Sequence, residues 1–137
     1  MYKNSFNQRY AKGKEAEEKI LPIIIKYFNR DIQATTKKTD RFDFTCSEYK
    51  YELKARTNNF DKYPTTMIAV DKLEPKVILL FLFTDGKLAF IEYDEDKFNT
   101  YDVKLFTKYT VPKKHIYIPI SDLTLINFCD DNICIAN

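Results

Sequence analysis

Several residue types that mark common classes of protein are scarce or absent here. The 137 residues include two glycines, one histidine, three cysteines and no tryptophan. Two glycines cannot build a glycine-rich phosphate loop, and we find neither a Ser/His/Asp set nor a zinc constellation. The one histidine, His115, lies in an apolar strand pattern, so a structural role is favoured over a catalytic one.

The cysteines do not predict disulfides or a zinc site. Cys46, Cys129 and Cys134 are odd in number and sparsely spaced, so they form no disulfide framework. Cys129 and Cys134 lack the spacing and the histidine partners of a zinc site. We interpret all three as small apolar residues in a reducing compartment.

Long hydrophobic runs are also missing. The longest, Val77–Phe83, has seven residues, far fewer than a membrane span needs. The first residues contain no apolar stretch typical of a signal peptide. We therefore expect an intracellular protein, cytoplasmic or nuclear, that is neither secreted nor associated with a membrane.

Net charge is low, at +2, which excludes a polybasic nucleic-acid coat protein. The distribution is uneven, however. Residues 1–14 carry basic side chains, including Arg9, Lys12 and Lys14, and no acidic one. A basic segment of this kind is compatible with phosphate binding. It is about equally compatible with a charged segment that is simply solvated.

The length fits a single domain over residues 1–137. The apolar pattern predicts an α+β fold in which a helix packs on a mixed sheet. Two helices are predicted, over Lys12–Phe28 with an interruption at Pro22 and over Met67–Leu73. Strands are predicted over Ile32–Thr36, Arg41–Cys46, Tyr51–Arg56, Val77–Phe83, Leu88–Tyr93 and His115–Ile120, with an edge strand in Asn127–Asn137. The remaining segments are a loop over Thr57–Thr66, turns at Asp85-Gly86 and Ser121–Leu123, and irregular chain over Asp94–Pro112.

One short motif stands out by its context. The pattern Glu-x-Lys occurs five times, beginning at Glu17, Glu48, Glu52, Glu74 and Glu95. Only the copy at Glu52, and less well the one at Glu48, lies in an alternating strand pattern, where residues two apart share a face. Glu52, Lys54 and Arg56 are therefore expected on one polar face.

Asp43 is expected to join that face. It alternates with Phe42 and Phe44, and the segments Arg41–Cys46 and Tyr49–Arg56 are expected to pair as an antiparallel hairpin. Asp43, Glu52 and Lys54 would then meet, and two adjacent carboxylates suit Mg²⁺. The alternative is a solvated strand whose charged side chains form weak surface pairs, worth about 0–1 kcal/mol each.

These residues, together with Lys12-Gly13-Lys14-Glu15-Ala16-Glu17 upstream and Tyr51-Glu52-Leu53-Lys54, resemble the PD-(D/E)XK nuclease superfamily. They look closest to archaeal-type Holliday-junction resolvases, over about residues 9–56. The resemblance implies a restriction-endonuclease-like core and a metal-dependent endonuclease that hydrolyses DNA phosphodiester bonds. It implies Mg²⁺ as cofactor, with Mn²⁺ expected to substitute. Phe42 stands where the family has proline, and Asp40 is an alternative to Asp43.

The resemblance also assigns individual roles. It implies that Glu17, Asp43 and Glu52 bind the metal with the Leu53 carbonyl, and that Lys54 is the catalytic lysine. The residues expected to bind DNA are Arg9, Lys12, Lys14, Arg56 and Lys62. Whether the protein forms a homodimer is left open by the sequence. The alternative function is a catalytically silent nucleic-acid-binding or structural protein that keeps the nuclease-like fold.

Overall fold

The computed structural model describes residues 2–36, 40–107 and 111–128, with side chains from residue 13 onward in these ranges. It has one long helix, one short helix and nine strands in the part described. In chain order these are α1 (Tyr2–Phe28), β1 (Gln33–Ala34), β2 (Phe44–Thr45), β3 (Lys50–Ala55), β4 (Thr65–Ala69), β5 (Val77–Leu82), β6 (Leu88–Glu92), α2 (Glu95–Phe98), β7 (Asp102–Phe106), β8 (Lys113–Pro119) and β9 (Thr124–Ile126).

The first sheet contains six strands in the order β1-β2-β3-β5-β6-β9. Only β3 and β5 are parallel, and the other neighbours are antiparallel, so the predicted mixed sheet is confirmed. Its central strand, β5, is apolar on both faces because both faces are covered. Ile78 and Leu80 pack in one core cluster, and Val77, Leu79 and Phe81 pack in another.

The helix α1 covers one face of the first sheet. Its buried stripe of Ile20, Ile23 and Ile24 packs with Tyr51 and Leu53 of β3. The helix runs through Pro22, which is exposed. A proline removes one helical hydrogen bond, and on the exposed side water can satisfy the carbonyl left without a partner. The α+β architecture with a helix on a mixed sheet is thus as predicted.

The opposite face is covered by a second sheet, which the sequence did not predict. It is antiparallel, with the strand order β4-β8-β7. The short helix expected over Met67–Leu73 is wrong: the chain forms β4 and then a 3-10 turn over Val70–Lys72. The burial of Thr66 and Ile68 has the period of two that belongs to a strand.

The prediction of irregular chain over Asp94–Pro112 is also wrong for the described residues. This segment contains α2, capped by the Asp94 side chain accepting from the Asp96 N–H, and the edge strand β7. The turn at Asp85-Gly86 is confirmed, with Gly86 at a φ of 82° that glycine adopts freely. Of the expected tail strand, residues 129–137 lie outside the described part of the chain, and β9 forms just before it.

The hairpin before β3 is shorter than predicted. β2 spans only Phe44–Thr45, paired antiparallel with Tyr51 and Lys50. Phe42 and Asp43 lie in a bend ahead of it. Phe42 therefore packs in the cluster of the second sheet, whereas Phe44 packs under α1, so the two rings lie on opposite faces of the first sheet. Among the described residues, no helix is long and apolar enough to cross a membrane.

Neighbouring isoleucines of α1 test the helix packing. Ile24 is fully buried, and Ile25 is 38% exposed. We expect Ile24→Ala to lower the free energy of unfolding by about 2–5 kcal/mol, because it removes buried apolar area and leaves a cavity. Ile25→Ala, the matched control, should cost less than about 1 kcal/mol. Urea denaturation measures both, and equal losses would contradict this placement of α1.

Candidate functional site

Asp43 is held in place by backbone and side-chain hydrogen bonds. Its N–H donates to the Tyr51 carbonyl at 3.0 Å, and its own carbonyl accepts from the Thr35 N–H at 3.0 Å. Its side-chain Oδ2 accepts from the Leu53 N–H at 2.8 Å. The carboxylate thus occupies the edge of β3 just beyond the end of β2. Asp43, not Asp40, makes this contact with β3.

Glu52 is the buried acid of the site. It alternates with Tyr51 and Leu53, which face α1, so it points to the side of the second sheet. It is only 5% exposed, which contradicts the alternative of a solvated strand. Its Oε2 lies 3.4 Å from Lys54 Nζ and 3.6 Å from Lys72 Nζ.

The electrostatics of Glu52 combine opposing influences. Burial raises the pKa of Glu52, and the negative charge of Asp43 raises it further. The ammonium groups of Lys54 and Lys72 lower it, and the net pKa lies above the ordinary value of 4.5. The nearby negative charge of Asp43 disfavours the ionised form of Glu52, and a further cation close to both carboxylates would favour it.

Glu17 approaches Asp43 from the helix. Burial raises the pKa of Glu17, and Asp43 is the next contributor, whereas Lys14 at 3.5 Å opposes the change. Because α1 covers the face opposite to that of Glu52, the two glutamates flank Asp43 from different sides of the first sheet. Asp43 is the shared neighbour of both.

The oxygen atoms near Asp43 and Glu52 are of the kind that a divalent cation uses. Within the described residues, no group of three or more histidine, cysteine, aspartate or glutamate side chains is arranged to hold a metal. Mg²⁺ commonly uses one or two carboxylates, with water and phosphate oxygens completing its shell. Asp43 and Glu52 supply two carboxylates. The Leu53 carbonyl adds a third oxygen, since in a strand it lies on the same side as the Leu53 N–H that meets Asp43.

Lys72 is a site residue that the sequence did not reveal. It lies in the 3-10 turn after β4 and has a side chain 24% exposed. It donates to the Arg41 carbonyl at 2.5 Å and lies 5.4 Å from the centre of the Phe42 ring. The Arg41 guanidinium in turn donates to the Asp71 carbonyl. No sequence pattern signals this contact, because the turn reaches Glu52 only through the unpredicted strand β4.

The expected DNA-binding residues whose side chains the structure describes make different contacts. Arg56 donates to the Met67 carbonyl of β4 and lies 5.3 Å from the centre of the Phe81 ring, so it links the two sheets. Lys62 is exposed beside the Tyr63 ring, and Lys14 is paired with Glu17. The side chains of Arg9 and Lys12 lie outside the described part. His115 is 8% exposed and packs against Phe106.

Comparison with known proteins leaves the assignment to the residues themselves. No protein-family model, curated protein or solved structure matches this chain.

The raised pKa of Glu52 predicts a pH-dependent gain from Glu52→Gln. Above pH 4.5 the unfolded chain loses this proton, while the folded protein retains it until its higher pKa is passed. Wild-type stability therefore falls across that interval as the pH rises. Glutamine does not titrate, so the variant should gain stability relative to wild type between about pH 4 and pH 7.

Urea unfolding at the two pH values measures this difference. Glu48→Gln is the matched control, because Glu48 is exposed in the turn of the same hairpin and begins another Glu-x-Lys copy. A difference between Glu52→Gln and wild type that is constant with pH would contradict the raised pKa.

Proposed function

We propose that this protein is a metal-dependent endonuclease that hydrolyses DNA phosphodiester bonds, built on a restriction-endonuclease-like core. One observation carries the proposal: the Asp43 carboxylate is fixed on the edge of β3 beside buried Glu52, and Lys54 lies 3.4 Å from Glu52 on the same strand. The order of Glu17, Asp43, Glu52 and Lys54 along the chain supports it through the resemblance to PD-(D/E)XK nucleases.

Each residue has a defined task in this proposal. Asp43, Glu52 and the Leu53 carbonyl would hold Mg²⁺, which Mn²⁺ is expected to replace. The bound cation would polarise the scissile phosphate and lower the pKa of a water molecule. Lys54 would orient the attacking water and offset the charge that develops on the phosphate. Glu17 would contribute from α1 through its proximity to Asp43.

The fixed geometry around Asp43 supports a catalytic role for these groups. Thr35, Tyr51 and Leu53 together bind the backbone and side chain of Asp43, so its carboxylate does not need to reorganise during a reaction. Burial of Glu52 lowers the local dielectric and strengthens the action of its charge. A branched DNA substrate, as for the resolvases that the sequence resembles, is the finer form of this proposal.

A second candidate is a nucleic-acid-binding protein without catalysis. One observation favours it: Lys54 and Lys72 both pair with the same oxygen of Glu52, so two cations of the chain itself already face this buried carboxylate. This protein would bind DNA equally well with or without Mg²⁺ and would not cleave it.

Incubation with linear, nicked and four-way DNA, in Mg²⁺ or in EDTA, tests the proposal. We expect cleavage in Mg²⁺ only. Asp43→Asn, Glu52→Gln and Lys54→Ala should each lower the rate by about 100-fold or more, as is typical when one group acting on the transition state is removed. Gel analysis of the products gives the rates.

Two exposed side chains provide the controls. Glu48→Gln and Lys97→Met make the same kinds of charge change outside the site, and they should cleave at the wild-type rate. Each variant is first checked for a cooperative thermal transition. Intact wild-type protein that cleaves none of the three DNAs, or full activity in Lys54→Ala, would refute the proposal.

A further inference from the structure

A groove of about 630 Å³ opens beside Lys54, on the side of the second sheet. This size lies within the range of ligand sites, roughly 300–1,000 Å³. Its charged side chains are three lysines and one aspartate. The lining residues are Lys54, Ala69, Asp71, Lys72, Val111, Lys113 and His115.

Three lysines converge on this groove from three separate segments. Lys54 comes from β3, Lys72 from the 3-10 turn after β4, and Lys113 from the start of β8. They are far apart in sequence, so their convergence does not follow from one lysine-rich stretch. Lys54 lines this groove and also pairs with Glu52, so the groove is continuous with the site formed by Asp43 and Glu52.

Lys72 connects the groove to the carboxylates. An ammonium group has three N–H donors. One donates to the Arg41 carbonyl, and the Nζ atom lies 3.6 Å from Glu52 Oε2. The side chain also lines the groove. Lys72 is therefore positioned to bring a further anion close to Glu52 and Lys54.

Lys113 and Asp71 form the outer part of the groove. Their ion pair is long, at 3.7 Å, and both side chains are more than half exposed, at 54% and 63%. Such pairs are weak, so a phosphate can take the place of the Asp71 carboxylate at Lys113. The wall between them includes exposed Val111, 69% accessible, and buried His115.

We propose that this groove binds the phosphodiester backbone of one nucleic-acid strand, with Lys72 and Lys113 contacting successive phosphates. These phosphates would follow the scissile phosphate that the proposed function places beside Glu52 and Lys54. The proposal rests on the proposed function because it takes the substrate to be a nucleic acid. It extends that function by naming Lys72 and Lys113 as substrate-binding residues and Asp71 as an opposing charge.

Binding of a fluorescent single-stranded oligonucleotide in EDTA tests it without cleavage. We expect Lys72→Met and Lys113→Met each to weaken binding and to reduce the salt slope by about 0.7, the contribution of one phosphate contact on a single strand. The affinity ratio of wild type to variant should then shrink by about 5-fold between 0.05 M and 0.5 M salt. Fluorescence anisotropy at several salt concentrations measures both.

Two further variants separate charge from structure. Asp71→Asn removes the acid of the groove and should strengthen binding, an effect of opposite sign that a folding defect would not produce. Lys72→Arg keeps the charge and should retain most of the affinity. Lys97→Met, an exposed lysine of α2 outside the groove, is the matched control and should bind as wild type does.

The outcomes distinguish this inference from the proposed function. Wild-type affinity and salt slope in both Lys72→Met and Lys113→Met would overturn the groove, even if Mg²⁺-dependent cleavage occurs. The expected losses with no cleavage of any DNA would leave the groove supported and refute the nuclease. Displacement of the oligonucleotide by inorganic tripolyphosphate at equal phosphate concentration would overturn the strand in favour of a free polyphosphate.

Discussion

The burial of both faces of β5 is the constraint on which the rest of the molecule depends. An apolar strand of this kind cannot face water on either side, so one layer must cover each face. The helix α1 covers one face, and the second sheet covers the other. Because β3 pairs with β5, its two faces meet the same two layers. Glu17 and Lys72 therefore reach the edge of β3 from opposite sides.

Part of this arrangement is predictable from the sequence. The stripe of isoleucines in α1, the apolar run of β5 and the Asp85-Gly86 turn each carry a local signal, and all three are found in the structure. The second sheet carries weaker signals. In β4 one of the two buried positions is the polar residue Thr66, so the sequence of this strand does not show the alternation that its burial has. In β7 the apolar residues Val103 and Leu105 alternate with polar ones but are exposed at the edge of the sheet, so they do not mark a buried face.

The candidate site divides in the same way. The alternation of β3 places Glu52 and Lys54 on one face, as expected. Asp43 was expected near β3 because it would alternate with Phe42 and Phe44 in a regular strand. In the structure it lies in a bend, and its side chain accepts a hydrogen bond from the Leu53 N–H. Lys72 was unpredictable, because a contact between segments 20 residues apart depends on tertiary packing that no local pattern encodes.

The crossover between β3 and β5 is a strand of the second sheet and not a helix, and this connects local unfolding to the electrostatics of the first sheet. Proteins open in cooperative units that often coincide with supersecondary motifs. If the second sheet opens as such a unit, the turn carrying Lys72 moves with it while β3 stays paired with β5. Glu52 then loses one of its two cations as water gains access to the carboxylate. In that case the opening of the second sheet would set how often Glu52 has one positive neighbour in place of two.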